Sequence, residues 1–237
     1  PRHLEVVTIG GSAAPRAMIE RIMKMGVRVN HAWGMTETSP IGTIGALPPE
    51  WDEMDFDAQV NHVTRQGKAP FGVEMRVTDD NNKPLPRDGK SSGHLQVRGP
   101  WIVDTYFQDE SGPCLTPDGW FDTGDVAVIH PDGTMQITDR AKDVIKSGGE
   151  WISSVDLENA AVGAEGVAEA AAIGVHHPKW EERPILLIVR KPGSDVTEET
   201  IRDYLATQVA KWWLPDEIHF VDELPHTATG KIQKTTL

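Results

Sequence analysis

Apolar and polar positions change rhythm twice along these 237 residues. The first stretch opens with an apolar run at residues 4–9, ending in Gly10-Gly11. Pro15 then fits the first position of a helix, and Met18, Ile19, Ile22, Met23 and Met25 recur at helical spacing. Gly26 closes that helix, and "VRVNHAW" (27–33) reads as a second strand. A strand, a helix and a strand in this order predict a parallel pair of an α/β sheet. Residues 48–66 read as acidic and irregular.

From Gly67 to about Arg140 the pattern becomes short alternating runs, "VEMRVTD", "HLQVRG" and "TMQITDR". They are separated by "NNKPLPRDG", "TPDG" and "HPDG", as in a hairpin-rich β region. After Lys142 helices and strands alternate. Ser153 with Asp156 makes a capping-box-like start to a helix at "SVDLENAAVG". Strands follow at "VAEAAAIGV" and "RPILLIVR", then a helix through "TEETIRDYLATQVA" with Thr197 as N-cap. "EIHFVDEL" supplies a last strand. The expected organisation is an α/β segment (1–66), a β-rich segment (67–141) and an α+β segment (142–237).

Charge and composition narrow the function classes. The chain carries 36 acidic and 23 basic residues, a net charge of −13, which argues against nucleic acid as a partner. Any anionic ligand must be met by local positive groups working against the overall field. The single cysteine, Cys114, cannot form an internal disulfide, which suggests a reducing compartment. It lies in a turn-rich stretch and reads as a loop residue. No apolar run approaches the ~20 residues of a membrane span. There is no starting Met, and the chain opens almost inside a strand, so sequence upstream is expected.

Several tempting features are weak. Gly230-Lys231 resembles half of a phosphate-binding loop, but Pro225 holds the place of its first glycine and Ile232 that of its Ser or Thr. A polar tail with a turn at Gly230 is the plain alternative. "GGSAAP" lacks the third glycine of a dinucleotide fingerprint. His176-His177 has no third ligand at zinc-like spacing. Trp212-Trp213 reads as packing for the last strand, and Glu181, Glu182 and Arg183 as a solvated loop.

Five stretches read together are far more specific: "WGMTET" (33–38), "GHLQVRGP" (93–100), "GWFDTGD" (119–125), "DRAKDVIKSGGEWIS" (139–153) and "PHTATGKIQK" (225–234). With these in this order, the chain resembles the C-terminal half of an adenylate-forming enzyme. That superfamily contains acyl-CoA synthetases, luciferases and peptide-synthetase adenylation domains. The run "KWWLPDEIHFVDELPHTATGKIQK" is most similar to the medium-chain acyl-CoA ligase branch, which includes 3-methylmercaptopropionate-CoA ligases. The resemblance implies the end of a doubly wound sheet, a small β-barrel-like subdomain and a mobile α+β C-terminal domain.

It also implies a reaction: activation of a short- or medium-chain carboxylic acid with ATP to an acyl-adenylate, then transfer of the acyl group to coenzyme A. ATP, magnesium and coenzyme A are the implied cofactors. The reducing compartment suggested by the lone cysteine makes a cytoplasmic location the expectation, and a homodimer stays open. By resemblance, Lys231 reaches the substrate carboxylate and α-phosphate, where a compact charge on a long stem suits two converging anions. Lys234 is either a surface residue or a second phosphate contact.

By the same resemblance, Thr36 meets a phosphate oxygen and Glu37 offers magnesium a hard oxygen. Trp33, usually tyrosine in the family, flanks adenine, and Gly10 and Gly11 let adenine and the acyl group approach the backbone. Asp125 accepts from the ribose hydroxyls, with Asp122 holding the turn, and Arg140 adds a guanidinium for ribose or phosphates. Lys142 is the pivot of a domain rotation between the two half-reactions, and with Lys146 it adds charge for a coenzyme A phosphate. Gly148 and Gly149 line the thiol's channel. The phosphate loop of the family lies upstream of these residues. Two other readings stay open: a domain loading a carrier-protein thiol, and a non-catalytic nucleotide-binding fragment.

Overall fold

A computed structural model describes residues 3–11, 14–108, 112–226 and 232–237, which divide into two compact units, one up to Thr138 and one from Asp139. Among the described residues the first unit opens with β1 (Val6–Ile9), α1 (Arg16–Lys24) and β2 (Arg28–Trp33). β1 and β2 are parallel, with Val6 opposite Arg28 and Ile9 opposite His31. Pro15 stands as the N-cap of α1 rather than inside it, and Gly26 takes φ +76°, which ends the helix as expected. A short β3 (Thr43–Ile44) pairs antiparallel with β2.

The stretch expected to be irregular contains a helix, α2 (Phe56–Val63). Asp55 caps it by accepting from Ala58 N at 2.8 Å. Val60 and Val63 are buried in one cluster with Ile19 of α1 and Val29 of β2. At eight residues, with two buried aliphatics, the helix shows little periodicity in sequence. Its stability comes from that shared cluster.

Four antiparallel strands follow in order: β4 (Glu74–Thr78), β5 (Gly93–Arg98), β6 (Phe121–Ile129) and β7 (Met135–Arg140). Their inward residues Met75, Val77, Leu95, Val97, Phe121, Ala127, Ile129 and Met135 form a second cluster, and Trp33 from the end of β2 packs into it. That tryptophan joins the parallel pair to the β-rich part of the unit, together with the bridges Ile44–Lys68 and Gly67–Met135.

The second unit is α+β. A tight hairpin joins β8 (Ile145–Ser147) to β9 (Glu150–Ile152), and α3 (Ser154–Val162) follows directly. Ser153 accepts from Asp156 N at 3.0 Å, the expected cap. β10 (Val167–His177) and β11 (Glu181–Arg190) form a long antiparallel hairpin. After α4 (Glu198–Gln208), capped by Thr197, β12 (Glu217–Phe220) lies parallel to β11. Leu157 and Ala161 of α3, Ile201 and Leu205 of α4, and Leu186 and Ile188 of β11 share the core with Ala170, Ala172 and Ile218. Each fully buried Leu or Ile there contributes about 1.5–3 kcal/mol by leaving water. No helix among the described residues is long and apolar enough to cross a membrane.

Candidate active site

The residues expected to act fall in both units. In the first, parallel pairing puts the C-terminal ends of β1 and β2 at the same edge of the sheet. Gly10 and Gly11 leave β1 there, and Trp33 ends β2 there, with Met35, Thr36 and Glu37 just beyond it. Open α/β sheets bind their ligands at such an edge.

The loop after β2 is held by its own side chains. Thr38 Oγ1 accepts from Met35 N at 2.9 Å and lies 2.8 Å from Pro40 O, and it is fully buried. Thr36 is left exposed at the head of a short helical turn. Glu37 is partly buried, its backbone oxygen accepts from Val103 N at 2.9 Å, and its Oε1 accepts from the Tyr106 hydroxyl at 3.0 Å. Tyr106 was not singled out from sequence. It lies 69 residues from Glu37 and outside all five motifs, so nothing in the spacing joins them.

Trp33 is only 9% exposed, so little of its ring is left bare for a purine. Its Nε1 donates to Asp125 Oδ2 at 2.8 Å. Asp125 is 3% exposed, and its own N–H donates to Thr123 Oγ1 at 3.1 Å. Thr123 Oγ1 in turn donates to Leu95 O at 2.8 Å. Asp122 holds the adjacent turn, as expected, by accepting from Gly124 N at 3.0 Å. A second residue missed in sequence is Gly42. A methyl group there would stand 2.1 Å from the Trp33 ring, so only glycine lets the indole lie where it does.

Magnesium, implied by the resemblance, needs hard oxygens. Glu37 provides one carboxylate at the sheet edge, and no group of three His, Cys, Asp or Glu suited to a metal occurs among the described residues. One carboxylate fits an ion that takes its remaining ligands from nucleotide phosphates and water.

In the second unit, Arg140 ends β7 and its carbonyl accepts from Asp143 N and Val144 N, both at 2.9 Å, in the turn that carries Lys142. Lys142 and Lys146 are exposed. Gly148 and Gly149 are the two-residue turn between β8 and β9, at φ +62° and +86°, where side chains are disfavoured. A methyl group at Gly148 would stand 2.9 Å from the Trp180 ring, whereas Gly149 opens on free space. Lys231 lies outside the described residues, as does Gly230.

Three expectations for this unit need correction. Lys234 is neither a surface residue nor open to a phosphate: its side chain is 12% exposed, and its Nζ is 2.7 Å from Glu158 Oε1 and 2.6 Å from Ser154 Oγ. Glu181, Glu182 and Arg183 are not a solvated loop but the start of β11. Arg183 donates to Trp212 O at 2.8 Å, Leu214 O at 2.9 Å and Asp216 Oδ1 at 3.0 Å. Trp212 is exposed and meets Trp213 edge-on, and it is Leu214 that packs against the core.

Burial sets the electrostatics around Lys234. It pushes the carboxyl groups of Asp139 and Glu158 above the usual range, with the Lys234 charge pulling both back. Burial also pushes Asp156 up to about 6, and the neighbouring Asp139 adds to the rise.

With this fold and this sheet edge, the chain belongs to the AMP-binding enzymes, the adenylate-forming family: residues 1–107 match "AMP-binding enzyme" and residues 156–231 match "AMP-binding enzyme C-terminal domain". Over 99% of its length it is 49% identical to a 3-methylmercaptopropionyl-CoA ligase of Ruegeria lacuscaerulensis, and over its full length 47% identical to a medium-chain-fatty-acid–CoA ligase of Ectopseudomonas oleovorans. It spans 43% of the length of each of these relatives. Among solved structures, o-succinylbenzoate coenzyme A synthetase of Bacillus subtilis in complex with ATP and magnesium ion aligns with a TM-score of 0.84 at 27% identity. That alignment covers 100% of this chain and 47% of the synthetase. The same enzyme bound to its acyl-adenylate intermediate aligns at 0.83 and 28% identity, covering 98% of this chain and 45% of that one.

Proposed function

We propose that these residues form the nucleotide- and thiol-handling part of an AMP-forming acyl-CoA ligase for a short- or medium-chain carboxylic acid, of the 3-methylmercaptopropionate kind. The observation that carries this reading is the sheet edge itself. Gly10-Gly11, Thr36 and Glu37 gather at the ends of two parallel strands, and the Trp33 indole ties the Asp125 carboxylate to the same place. The identity to two acyl-CoA ligases supports the choice of reaction and acid.

In the first half-reaction a carboxylate oxygen attacks the α-phosphorus of ATP and pyrophosphate leaves. Two anions must meet, so the Lys231 ammonium group is assigned to the point of convergence. The Thr36 hydroxyl donates to a phosphate oxygen. Glu37 would hold magnesium, which neutralises phosphate charge when bound. Asp125 accepts from the ribose hydroxyls, and the Trp33 donor keeps that carboxylate in one orientation. Arg140 adds a planar cation for ribose or phosphate.

In the second half-reaction the sulfur of coenzyme A attacks the acyl carbonyl, AMP leaves and the thiol proton passes to solvent. Coenzyme A is thus a substrate, not a resident cofactor. One site serves both steps if the second unit pivots near Lys142 and the Gly148-Gly149 turn borders the thiol's path.

The test is a pyrophosphate-release screen over short and medium carboxylic acids, with and without coenzyme A, on the complete protein that contains these residues. Acid-dependent pyrophosphate release, followed by thioester only when free coenzyme A is added, supports the ligase. Release without transfer to free coenzyme A would point to a carrier-protein thiol instead, and no release with any acid would refute the reading.

A further inference from the structure

A glycine turn lies where its flanking strands put it, and the strands beside Gly148-Gly149 are short. β8 and β9 have three residues each, too few to hold a hairpin in place unaided. β8 meets β11 in register only where Ser147 lies opposite Glu181. The fastening comes from side chains and carbonyls at the start of β11. Trp180 O accepts from Gly148 N at 2.8 Å, and Glu182 Oε2 accepts from Lys146 N at 2.8 Å. Arg183 Nη1 donates to Oγ of the buried Ser147 at 3.2 Å.

All three nitrogens of the Arg183 guanidinium are engaged, and its side chain is only 16% exposed. Nη1 also donates to Trp212 O at 2.8 Å, Nη2 donates to Leu214 O at 2.9 Å, and Nε donates to Asp216 Oδ1 at 3.0 Å. The Asp216 carboxylate completes an ion pair, with Oδ1 2.9 Å from Nη2. The 212–216 segment is itself anchored: Arg202 of α4 donates to Pro215 O, and Asp216 N donates to Pro184 O at 2.9 Å. One planar cation thus joins a fixed segment to the last residue before the glycine turn. A guanidinium suits this place because its donors leave a rigid fork in several directions, whereas a lysine ammonium is a single point on a flexible stem. A cation so fully engaged serves the frame of the unit rather than a phosphate of a ligand.

We propose that Arg183 is a positioning residue that fixes the Gly148-Gly149 turn, by tying Ser147 to the 212–216 segment, and so keeps the turn in place for the approach of coenzyme A. The thiol's path past this turn rests on the proposed ligase reading, whereas the fastening rests on the geometry alone. The turn has little room to shift on one side, since a methyl group at Gly148 would already stand 2.9 Å from the Trp180 ring. A displacement of about 1 Å in a group that lines a reacting substrate's path is enough to slow a step by about 100-fold.

Two measurements on the complete protein test this. The first is amide exchange at Gly148, whose N–H is held by Trp180 O. Arg183→Met should speed it by about tenfold or more while Ala172 and Leu186, in the middle of the β10–β11 hairpin, keep their protection. Unchanged exchange at Gly148 overturns the fastening whatever the enzyme does. The second compares half-reactions. Arg183→Met should slow thioester formation from supplied acyl-adenylate by about 10- to 100-fold, with pyrophosphate release within about twofold of the parent. An equal loss in both half-reactions overturns the positioning role. Arg183→Lys keeps the charge without the fork and should recover only a small part of the loss; full recovery would assign the effect to charge and overturn the proposal. Ser147→Ala cuts only the link to the turn and serves if Arg183→Met does not fold. It should speed Gly148 exchange by about threefold or more and slow thioester formation alone, and parent-like values for both would overturn the proposal. Gly149→Trp run alongside separates the two ideas: normal coenzyme A turnover in that variant sinks the thiol's path, with the exchange result still deciding the fastening.

Discussion

The Trp33 indole donates to the Asp125 carboxylate across 2.8 Å, and both residues are almost wholly shielded from water. Losing one hydrogen bond to a charged group costs about 1.5–3 kcal/mol. Trp33→Phe should therefore lower stability by roughly 2–4 kcal/mol, the smaller ring adding a cavity to the lost hydrogen bond. Urea denaturation of the single and double variants with Asp125→Asn checks it. A coupling energy of about 1 kcal/mol or more is expected for residues in direct contact. Purely additive losses would mean the bond contributes nothing.

Gly42 carries the same relationship one step outward. A methyl group there would overlap the Trp33 ring at 2.1 Å, against rigid ring atoms rather than a flexible chain end. Gly42→Ala should cost about 1–3 kcal/mol, as overpacking does. The loss should shrink when Trp33 is also Leu, which vacates the ring's space. A thermal melt of the pair against each single variant decides this, since an undiminished loss would place the strain elsewhere.

The Gly148-Gly149 turn separates two effects that a single substitution would confuse. Gly149 opens on free space, whereas a side chain at Gly148 would press on Trp180. Both take positive φ, so a side chain at either adds roughly 1–2 kcal/mol of backbone strain. On the proposed reading, Gly149→Trp should slow thioester formation by about 100-fold while pyrophosphate release stays within a few-fold, and Gly149→Ala should show the strain alone. Half-reaction assays on the complete protein measure both. Normal coenzyme A turnover in Gly149→Trp would remove that turn from the thiol's path.

Much of this was legible in sequence because local rules and packing agree. The parallel pair around α1, the β hairpins, and the caps at Ser153 and Thr197 all have periodicity and end signals that point the same way. The helix α2 was not legible, since its two buried valines gain their value only from Ile19 and Val29, far away in the chain. The partners of the candidate residues were not readable from motif order. Tyr106 beside Glu37, Gly42 under Trp33, and Lys234 on Glu158 join residues with no sequence relationship. Lys234 was misjudged for a physical reason: an exposed-looking lysine in a polar tail becomes a buried cation once α3 offers it a carboxylate.

Asp156 gives the second unit a pH dependence of its own. Its carboxyl is pushed up to about 6 from the ordinary 3.8, chiefly by burial, with the nearby Asp139 reinforcing the shift and a hydrogen bond with the Ser153 side chain opposing it. The folded unit therefore holds this proton more tightly than the unfolded chain does. The contribution to stability is fully present below about pH 4 and is lost as pH rises through about 6. The shift corresponds to at most about 3 kcal/mol, and the favourable placement of an anion in the first turn of α3 offsets about 0.3–1 kcal/mol of it. Asp156→Asn removes the titration while keeping a polar group at the same place in the helix. It should be roughly 1–3 kcal/mol more stable than the parent at pH 7.5 and nearly equal to it at pH 4. Denaturant midpoints at the two pH values measure the difference. An advantage of equal size at both would assign the effect to packing rather than to the proton, and a loss at pH 7.5 would show that the charge on Asp156 stabilises the helix more than burial opposes it.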